Sequence, residues 1–103
     1  MAQIINSDDF EKEVLSEKAS VLVDFFSETC PPCRIMSPII DEIGSENIIK
    51  AVKINVANSP DLADRYGIYA VPTMIIFRNG EEVNRIVGAL SKDELLAEIT
   101  VNS

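Results

Sequence analysis

Cys30 and Cys33 are the only two cysteines of this 103-residue chain, and Pro31 and Pro32 separate them. They follow an apolar run at residues 21–26 and precede a helical pattern that starts near Pro32. Two thiols three positions apart at the start of a helix lie on one face and can close a small disulfide ring. So small a ring constrains the unfolded chain very little, and it is a poor structural staple. We therefore expect the pair to open and close as a redox-active disulfide.

The position of Cys30 predicts its chemistry. At the positive end of a helix, the helix dipole and the free N–H groups favour an anion. A thiol placed there ionises below the pKa of about 8.5 that a free cysteine has. Cys33, one turn deeper, would be the resolving thiol that attacks a mixed disulfide and releases the reduced substrate. Neither proline has an N–H, so the Cys33 amide is the nearest backbone donor to the Cys30 sulfur.

Two charged residues interrupt the apolar strands that must position the dithiol. Asp24 lies within the apolar run 21–26, which is typical of a strand buried on both faces. It is either an acid tolerated at the sheet edge or a buried acid, and burial would raise its pKa and keep it protonated near neutral pH. Lys53 is a single cation in a later strand. It is either solvated or the charge partner of Asp24.

Hydrophobic periodicity and turn signals predict nine elements around these residues. The alternating first half predicts parallel crossovers, and an Asn-Gly turn makes the second half antiparallel. The elements are a strand at Ile4-Ile5, a helix over 8–16 capped by Ser7, a strand over 21–26, a helix from Pro32 with its core face at Ile35, Met36, Ile39, Ile40 and Ile43, a strand over 48–56, a helix from Ser59-Pro60 to Tyr66, strands over 73–77 and 82–87 joined at Asn79-Gly80, and a terminal helix with a Ser91–Glu94 capping box.

Composition limits the classes of function. A chain of 103 residues predicts one domain over residues 1–103. The net charge of -8 argues against nucleic acid or an anionic membrane as partner. With two cysteines and no histidine, the chain cannot supply the four ligands of a closed zinc site, and we expect no metal and no cofactor. No secretory signal or membrane span is visible, so a cytoplasmic protein is the expectation.

The chain resembles the thioredoxin family over essentially its whole length. The CxxC alone is moderately specific, but its combination with the later motifs, in this order, is strong. The matching segments are VLVDFF, TCPPC, SPIIDEI, VKINV, YGIYAVPT, IFRNGEEV and VGALSK. The resemblance implies an α/β thioredoxin fold, in which four helices flank a five-stranded mixed central sheet. It also implies reduction of protein disulfides by a monomer that a thioredoxin reductase re-reduces.

The resemblance also implies roles for individual residues. Cys30 would be the exposed nucleophile and Cys33 the buried resolving thiol, and Asp24 would assist proton transfer at Cys33 with Lys53 tuning it. Pro72 would be a cis-proline against the dithiol, so that the Val71 backbone pairs with an extended substrate segment. A flat apolar patch would dock substrates; its members are Thr29, Pro31, Val56, Ala70, Val71, Gly88 and Ala89.

Three positions depart from the family pattern, and the loss of a large ring among them bears on substrate range and reductase choice rather than on thiol chemistry. Thr29 and Pro31 stand where the family has tryptophan and glycine, and Phe26 replaces a second aromatic residue that is often tryptophan. The alternatives are a specialised partner with restricted substrates, a non-catalytic docking module, an isomerase, or a glutaredoxin-like enzyme. The N-terminal strand-helix unit, the VPT segment and the acidic balance argue against the last.

The missing amide at position 31 generates a first prediction. Pro31→Gly should lower the pKa of the Cys30 thiol, because glycine restores an N–H near the sulfur. The measurement is the pH dependence of Cys30 alkylation in the reduced protein. An unchanged pKa would refute the hypothesis.

Overall fold

The computed structural model describes residues 2–102. Met1 and Ser103, the two ends of the predicted domain, therefore lie outside the described residues. The order of elements is the predicted one. The elements are β1 (Gln3–Ile5), α1 (Ser7–Phe10) continuing as a π-helical segment (Glu11–Leu15), β2 (Ser20–Phe26), α2 (Pro31–Ser45), β3 (Lys50–Asn55), α3 (Pro60–Arg65), β4 (Thr73–Arg78), β5 (Glu81–Val87) and α4 (Lys92–Val101).

The five strands form one mixed sheet in the order β1-β3-β2-β4-β5. β3 pairs in parallel with β1 and β2, whereas β4 pairs antiparallel with β2 and β5. The predicted hairpin is present, with Asn79 at φ 55° and Gly80 at φ 82°, as a turn with two left-handed residues requires. A Cβ on Gly80 would lie 2.7 Å from the Leu15 carbonyl oxygen. The predicted mixed sheet with four flanking helices is confirmed.

Each face of the sheet carries its own core. Because side chains alternate along a strand, Leu22 and Asp24 of β2 face α2 and α4, while Val21, Val23 and Phe25 face α1 and α3. The first core comprises Ala2, Leu22, Met36, Ile40, Ile43, Ile49, Ala51, Met74, Ile76, Leu95 and Ile99. The second comprises Ile5, Phe10, Val14, Val21, Val23, Phe25, Val52, Ile54, Leu62, Ile75 and Phe77.

Two details differ from the sequence-based expectations. Ser7 was expected to cap the first helix, but Asn6 does so by accepting from the Asp8 N–H at 3.0 Å, because its side-chain oxygen reaches the first turn from outside the helix. Ile35 was expected in the core, but it is 62 % exposed. The buried face of α2 is formed by Met36, Ile40 and Ile43. This face is narrower than the five-residue apolar face that the sequence pattern predicts.

The capping box of α4 is confirmed: the Ser91 side chain accepts from the Glu94 N–H, and the Glu94 carboxylate accepts from the Ser91 N–H. α3 begins at Pro60 as expected, with Ser59 as its N-cap residue. These caps fix where α3 and α4 begin. The two cysteines lie at the start of a different helix, with Cys30 as the N-cap residue of α2 and Cys33 in its first turn.

Candidate active site

The dithiol lies where β2 ends and α2 begins. Cys30 and Cys33 form a disulfide, with 5.2 Å between their Cα atoms. Cys30 is the N-cap residue of α2, and its sulfur accepts a hydrogen bond from the Cys33 N–H at 3.1 Å. The prediction that this amide is the nearest backbone donor is confirmed. Such a donor stabilises negative charge on the sulfur once the disulfide opens.

The two prolines affect this cap differently. Pro31 and Pro32 occupy the first two positions of α2. A capping atom accepts from the second or third helical N–H, so Pro32 removes one of the two usual donors. The effect assigned to Pro31 stays a prediction.

Cys30 is the more accessible of the two cysteines, but the prediction that it is exposed overstates its accessibility. It is 9 % exposed and Cys33 is 3 % exposed. The surrounding Thr29, Pro31 and Pro32 are themselves exposed and frame the Cys30 sulfur. A substrate disulfide therefore has to approach the Cys30 sulfur between the exposed side chains of Thr29, Pro31 and Pro32.

The loop before β4 packs against the disulfide. The Val71–Pro72 peptide bond is cis, as the resemblance implied, and the Val71 carbonyl oxygen lies 3.5 Å from Cys30 Sγ. The Pro72 carbonyl accepts from the Gly88 N–H at 2.8 Å, which ties this loop to the end of β5. The structure thus brings Cys30, Val71, Pro72 and Gly88 together.

Only some of the seven residues expected to dock substrates line a common surface. Val56, Ala70 and Val71 line a groove of about 280 Å³ together with Ser27, Ile68 and Tyr69. Thr29 lines a neighbouring depression that shares Ser27 with this groove. Pro31, Gly88 and Ala89 line neither of them, although Pro31 and Ala89 are exposed.

Sequence reasoning missed Tyr69. Its side chain is 97 % exposed on the rim of the groove, two residues before the cis peptide bond. The available signal was an aromatic residue that interrupts no helical or strand periodicity and precedes an X-Pro bond. Because the ring adjoins the apolar side chains of Val56 and Val71 in one groove, it belongs to a continuous apolar surface of the kind that marks interaction sites.

Asp24 is fully buried, which decides between the two sequence-based alternatives. It pairs in register with Lys53 on β3 and with Met74 on β4. Neither carboxyl oxygen has a hydrogen-bond partner among the described residues. Desolvation by burial raises the pKa of Asp24 to about 7, although the Lys53 charge opposes this rise and Asp41 adds to it.

Lys53 is near Asp24 but does not form an ion pair with it. The Lys53 ammonium lies 2.9 Å from Asp41 Oδ1 and donates to Ser37 Oγ at 2.6 Å. Neither sequence-based alternative describes Lys53 fully: it is buried rather than solvated, and two acceptors on α2 hold its ammonium, so its charge acts on Asp24 without a direct contact. Burial raises the pKa of Asp41, but hydrogen bonds from Lys53 and from the Ala2 N–H outweigh it and the pKa is lowered.

A cleft of about 210 Å³ leads from the surface to this buried region. Its walls include both Cys33 and Lys53, so solvent protons have a route to the resolving thiol. The complete lining is Ile4, Phe26, Ser27, Glu28, Cys33, Arg34, Ser37 and Lys53.

Within residues 2–102, no group of three or more His, Cys, Asp or Glu side chains is placed to hold a metal ion. No helix in the same range is long and apolar enough to cross a membrane.

Comparison with known proteins gives one consistent result. The family model described as Thioredoxin matches residues 1–101. The thioredoxin of Rickettsia bellii is 40 % identical over 104 residues, which cover 99 % of this chain and 99 % of the relative. Thioredoxin 1 of a Nostoc species is 44 % identical over 96 residues, covering 91 % and 89 %. The chloroplastic M-type thioredoxin of Chlamydomonas reinhardtii is 39 % identical over 100 residues, covering 95 % and 71 %.

The burial of Asp24 predicts a pH-dependent effect on stability. Its pKa is about 7 in the folded protein, against an ordinary value of 3.8. Between these values the folded state binds a proton that the unfolded state has released, so the free energy of unfolding falls as pH rises to about 7. At about 1.36 kcal/mol per pH unit, this difference of roughly three pH units costs about 4 kcal/mol.

Asp24→Asn removes that ionisation and leaves a side chain of similar shape. We expect the oxidised variant to be more stable than the parent by up to about 4 kcal/mol at pH 8, with the gain shrinking toward pH 4. Urea unfolding at a series of pH values measures it. A difference that stays constant across this range would contradict the prediction.

Proposed function

The chain belongs to the thioredoxin family of thiol–disulfide oxidoreductases, and we propose that a thioredoxin reductase returns electrons to its Cys30–Cys33 pair after each protein disulfide is reduced. The observation that carries the function is the disulfide at the start of α2 beside the cis Val71–Pro72 bond. This arrangement combines an activated sulfur with a nearby backbone segment that can align a substrate.

Reduction proceeds in two exchange steps. The Cys30 thiolate attacks one sulfur of the substrate disulfide, so that a mixed disulfide forms and the first substrate thiolate leaves. Cys33 then loses its proton and attacks the Cys30 sulfur. The Cys30–Cys33 bond forms as the bond from Cys30 to the substrate breaks, and the second substrate thiolate leaves. Two electrons thereby pass from the dithiol to the substrate.

Asp24 is the proposed acceptor of the Cys33 proton. It lies on the face of the central strand that packs against α2, the helix that carries Cys33. A carboxyl whose pKa lies near 7 exchanges a proton with a thiol better than an ordinary aspartate does, because the two groups are more closely matched. The proton held by Asp24 and one from solvent, which enters by the cleft lined by Cys33 and Lys53, complete the two substrate thiols.

Substrate docking is proposed to use the backbone at Val71 together with the apolar groove. An extended substrate segment would pair with the Val71 backbone in the manner of strand addition, which brings its disulfide to the Cys30 sulfur 3.5 Å from the Val71 carbonyl oxygen. A neighbouring substrate side chain would enter the groove walled by Val56 and Tyr69. Tyr69 supplies a large ring to a surface that Thr29 leaves without one.

The wider setting is also proposed. The protein would act as a single-domain monomer in the cytoplasm, carrying electrons from a reductase to protein disulfides without a bound cofactor. A dithiol that serves as a reductant has to be kept reduced, and this requires a reducing compartment.

Cysteine substitutions test the catalytic roles. Cys30→Ser should abolish reduction of the insulin disulfides, because no attacking thiol remains. Cys33→Ser should instead accumulate a mixed disulfide between Cys30 and the substrate, detected by mass spectrometry. If Cys30→Ser retained the protein's function in cells, the chain would be a docking module rather than a reductase.

Tyr69→Ala tests the docking surface. We expect kcat/KM toward insulin to fall about fivefold, equivalent to roughly 1 kcal/mol of lost apolar contact. Reduction of a small disulfide such as hydroxyethyl disulfide should be unchanged, since it does not occupy the groove. Val101→Ala is the matched control, because Val101 is 81 % exposed but lies at the end of α4. Equal losses in the two variants would exclude a docking role for Tyr69.

A further inference from the structure

The side chain of Lys53 pairs with residues of α2 rather than with the acid beside it in the sheet. It lies directly beside Asp24 across the β2–β3 pair, and its side chain is only 8 % exposed. The ammonium nevertheless contacts α2, at 2.9 Å from Asp41 Oδ1 and 2.6 Å from Ser37 Oγ. The two α2 residues are four positions apart and therefore stand on one face of the helix.

Asp41 is itself held in place. The same Oδ1 atom accepts a hydrogen bond from the Ala2 N–H at 3.0 Å, so the segment leading into β1 fixes the carboxylate from the other side. These hydrogen bonds lower the pKa of Asp41 against the effect of its burial, and it remains charged at neutral pH. The ammonium thus has a permanent anionic partner outside the core.

The consequence for Asp24 depends on what else faces it. From β3 the facing charge is Lys53, from α2 it is Asp41, and the β4 neighbour Met74 carries no charge. The residues of α4 that contribute to this core, Leu95 and Ile99, are apolar. Lys53 is therefore the one cation among these groups whose position could change the ionisation of Asp24.

We propose that Asp41 and Ser37 are positioning residues, which hold the Lys53 ammonium away from Asp24 and so leave a buried, unpaired carboxyl on the sheet face that packs against α2. Without them the ammonium would turn toward the nearest remaining carboxylate. A direct pair would stabilise the ionised form of Asp24 and make it a weaker base. The proposal deepens the proposed function, since it rests on Asp24 as the proton acceptor for Cys33.

The oxidised protein gives a direct test, because its cysteines do not titrate. The carboxyl carbon of Asp24 is followed by NMR as a function of pH in the parent and in three alanine variants of the same helix. Asp41→Ala should lower the Asp24 midpoint by about one pH unit or more, the size expected when an opposite charge approaches a carboxylate. Ser37→Ala, which removes an acceptor but no charge, should lower it by less.

Glu42→Ala is the matched control. Glu42 is the next carboxylate along the helix, but it pairs with Lys92 at the surface. Its removal should leave the Asp24 midpoint unchanged. An Asp24 midpoint that Asp41→Ala does not lower, or that Glu42→Ala lowers equally, would overturn the proposal. If Asp41→Ala lowers the Asp24 midpoint but Ser37→Ala does not, Asp41 is a positioning residue and Ser37 is not.

A double-mutant cycle separates reorientation of Lys53 from simple loss of the Asp41 charge, because the Lys53 charge already lowers the pKa of Asp24 in the parent. Lys53→Met is therefore made both in the parent and in Asp41→Ala. If the ammonium turns toward Asp24, Lys53→Met should raise the Asp24 midpoint more in Asp41→Ala than in the parent. An equal rise in the two backgrounds would show that Lys53 did not turn, and would overturn the proposal.

Kinetics distinguish failure of this inference from failure of the proposed function. Resolution of the preformed mixed disulfide by Cys33 is timed across pH in the parent and in Asp41→Ala. Both hypotheses predict that the rate profile moves to lower pH together with the Asp24 midpoint. If the midpoint moves and the profile does not, Asp24 is not the base, and the positioning of Lys53 still holds.

Discussion

Packing of α2 against the central strand is the interaction on which the site depends. Met36, Ile40 and Ile43 are completely buried against the sheet, and burial of such side chains contributes about 1.5–3 kcal/mol each. This contact fixes the helix start at the end of β2, so that Cys30 becomes the N-cap residue and Cys33 turns inward. Asp24 lies on the strand face that this helix packs against, and it is fully buried there. One packing interface therefore places Cys30 at the helix start, buries Cys33 and desolvates the carboxyl of Asp24.

The buried charges follow from that interface. A helix packed over β2 and β3 excludes water from both Asp24 and Lys53, and an isolated charge in such a place is costly. The two residues meet this constraint in different ways. Lys53 reaches the rim of the helix, where Asp41 and Ser37 accept from it. Asp24 has a shorter side chain and finds no partner, so its ionisation is suppressed instead. Burial of the apolar side chains in the rest of this core offsets the free-energy cost of burying the Asp24 carboxyl.

The sequence predicted the fold well because its signals are local. Period-two and helical patterns, the Asn79-Gly80 turn and the Ser91–Glu94 capping box each depend on neighbours along the chain. The family resemblance added the cis bond before Pro72. The partner of Lys53 was beyond local reasoning, since it depends on how far a flexible side chain extends toward a helix from another part of the chain. Tyr69 was missed for a related reason: its significance comes from a groove that Ser27, Val56 and Val71 form from three separate segments.

Thiol chemistry and substrate choice are physically separable in this structure. The Cys30 sulfur is held by backbone features, namely the start of α2 and the Cys33 N–H, to which the side chains at positions 26 and 29 do not contribute. The docking surface that we propose consists instead of side chains that project from loops, where Thr29 offers little surface and Tyr69 offers a whole exposed ring. A change at position 29 alters contact area without moving the sulfur, because the cap geometry is set by the helix. The changes at positions 26 and 29 are therefore compatible with an unchanged reaction on a different selection of proteins, while Tyr69 provides a large exposed ring on the loop before Pro72.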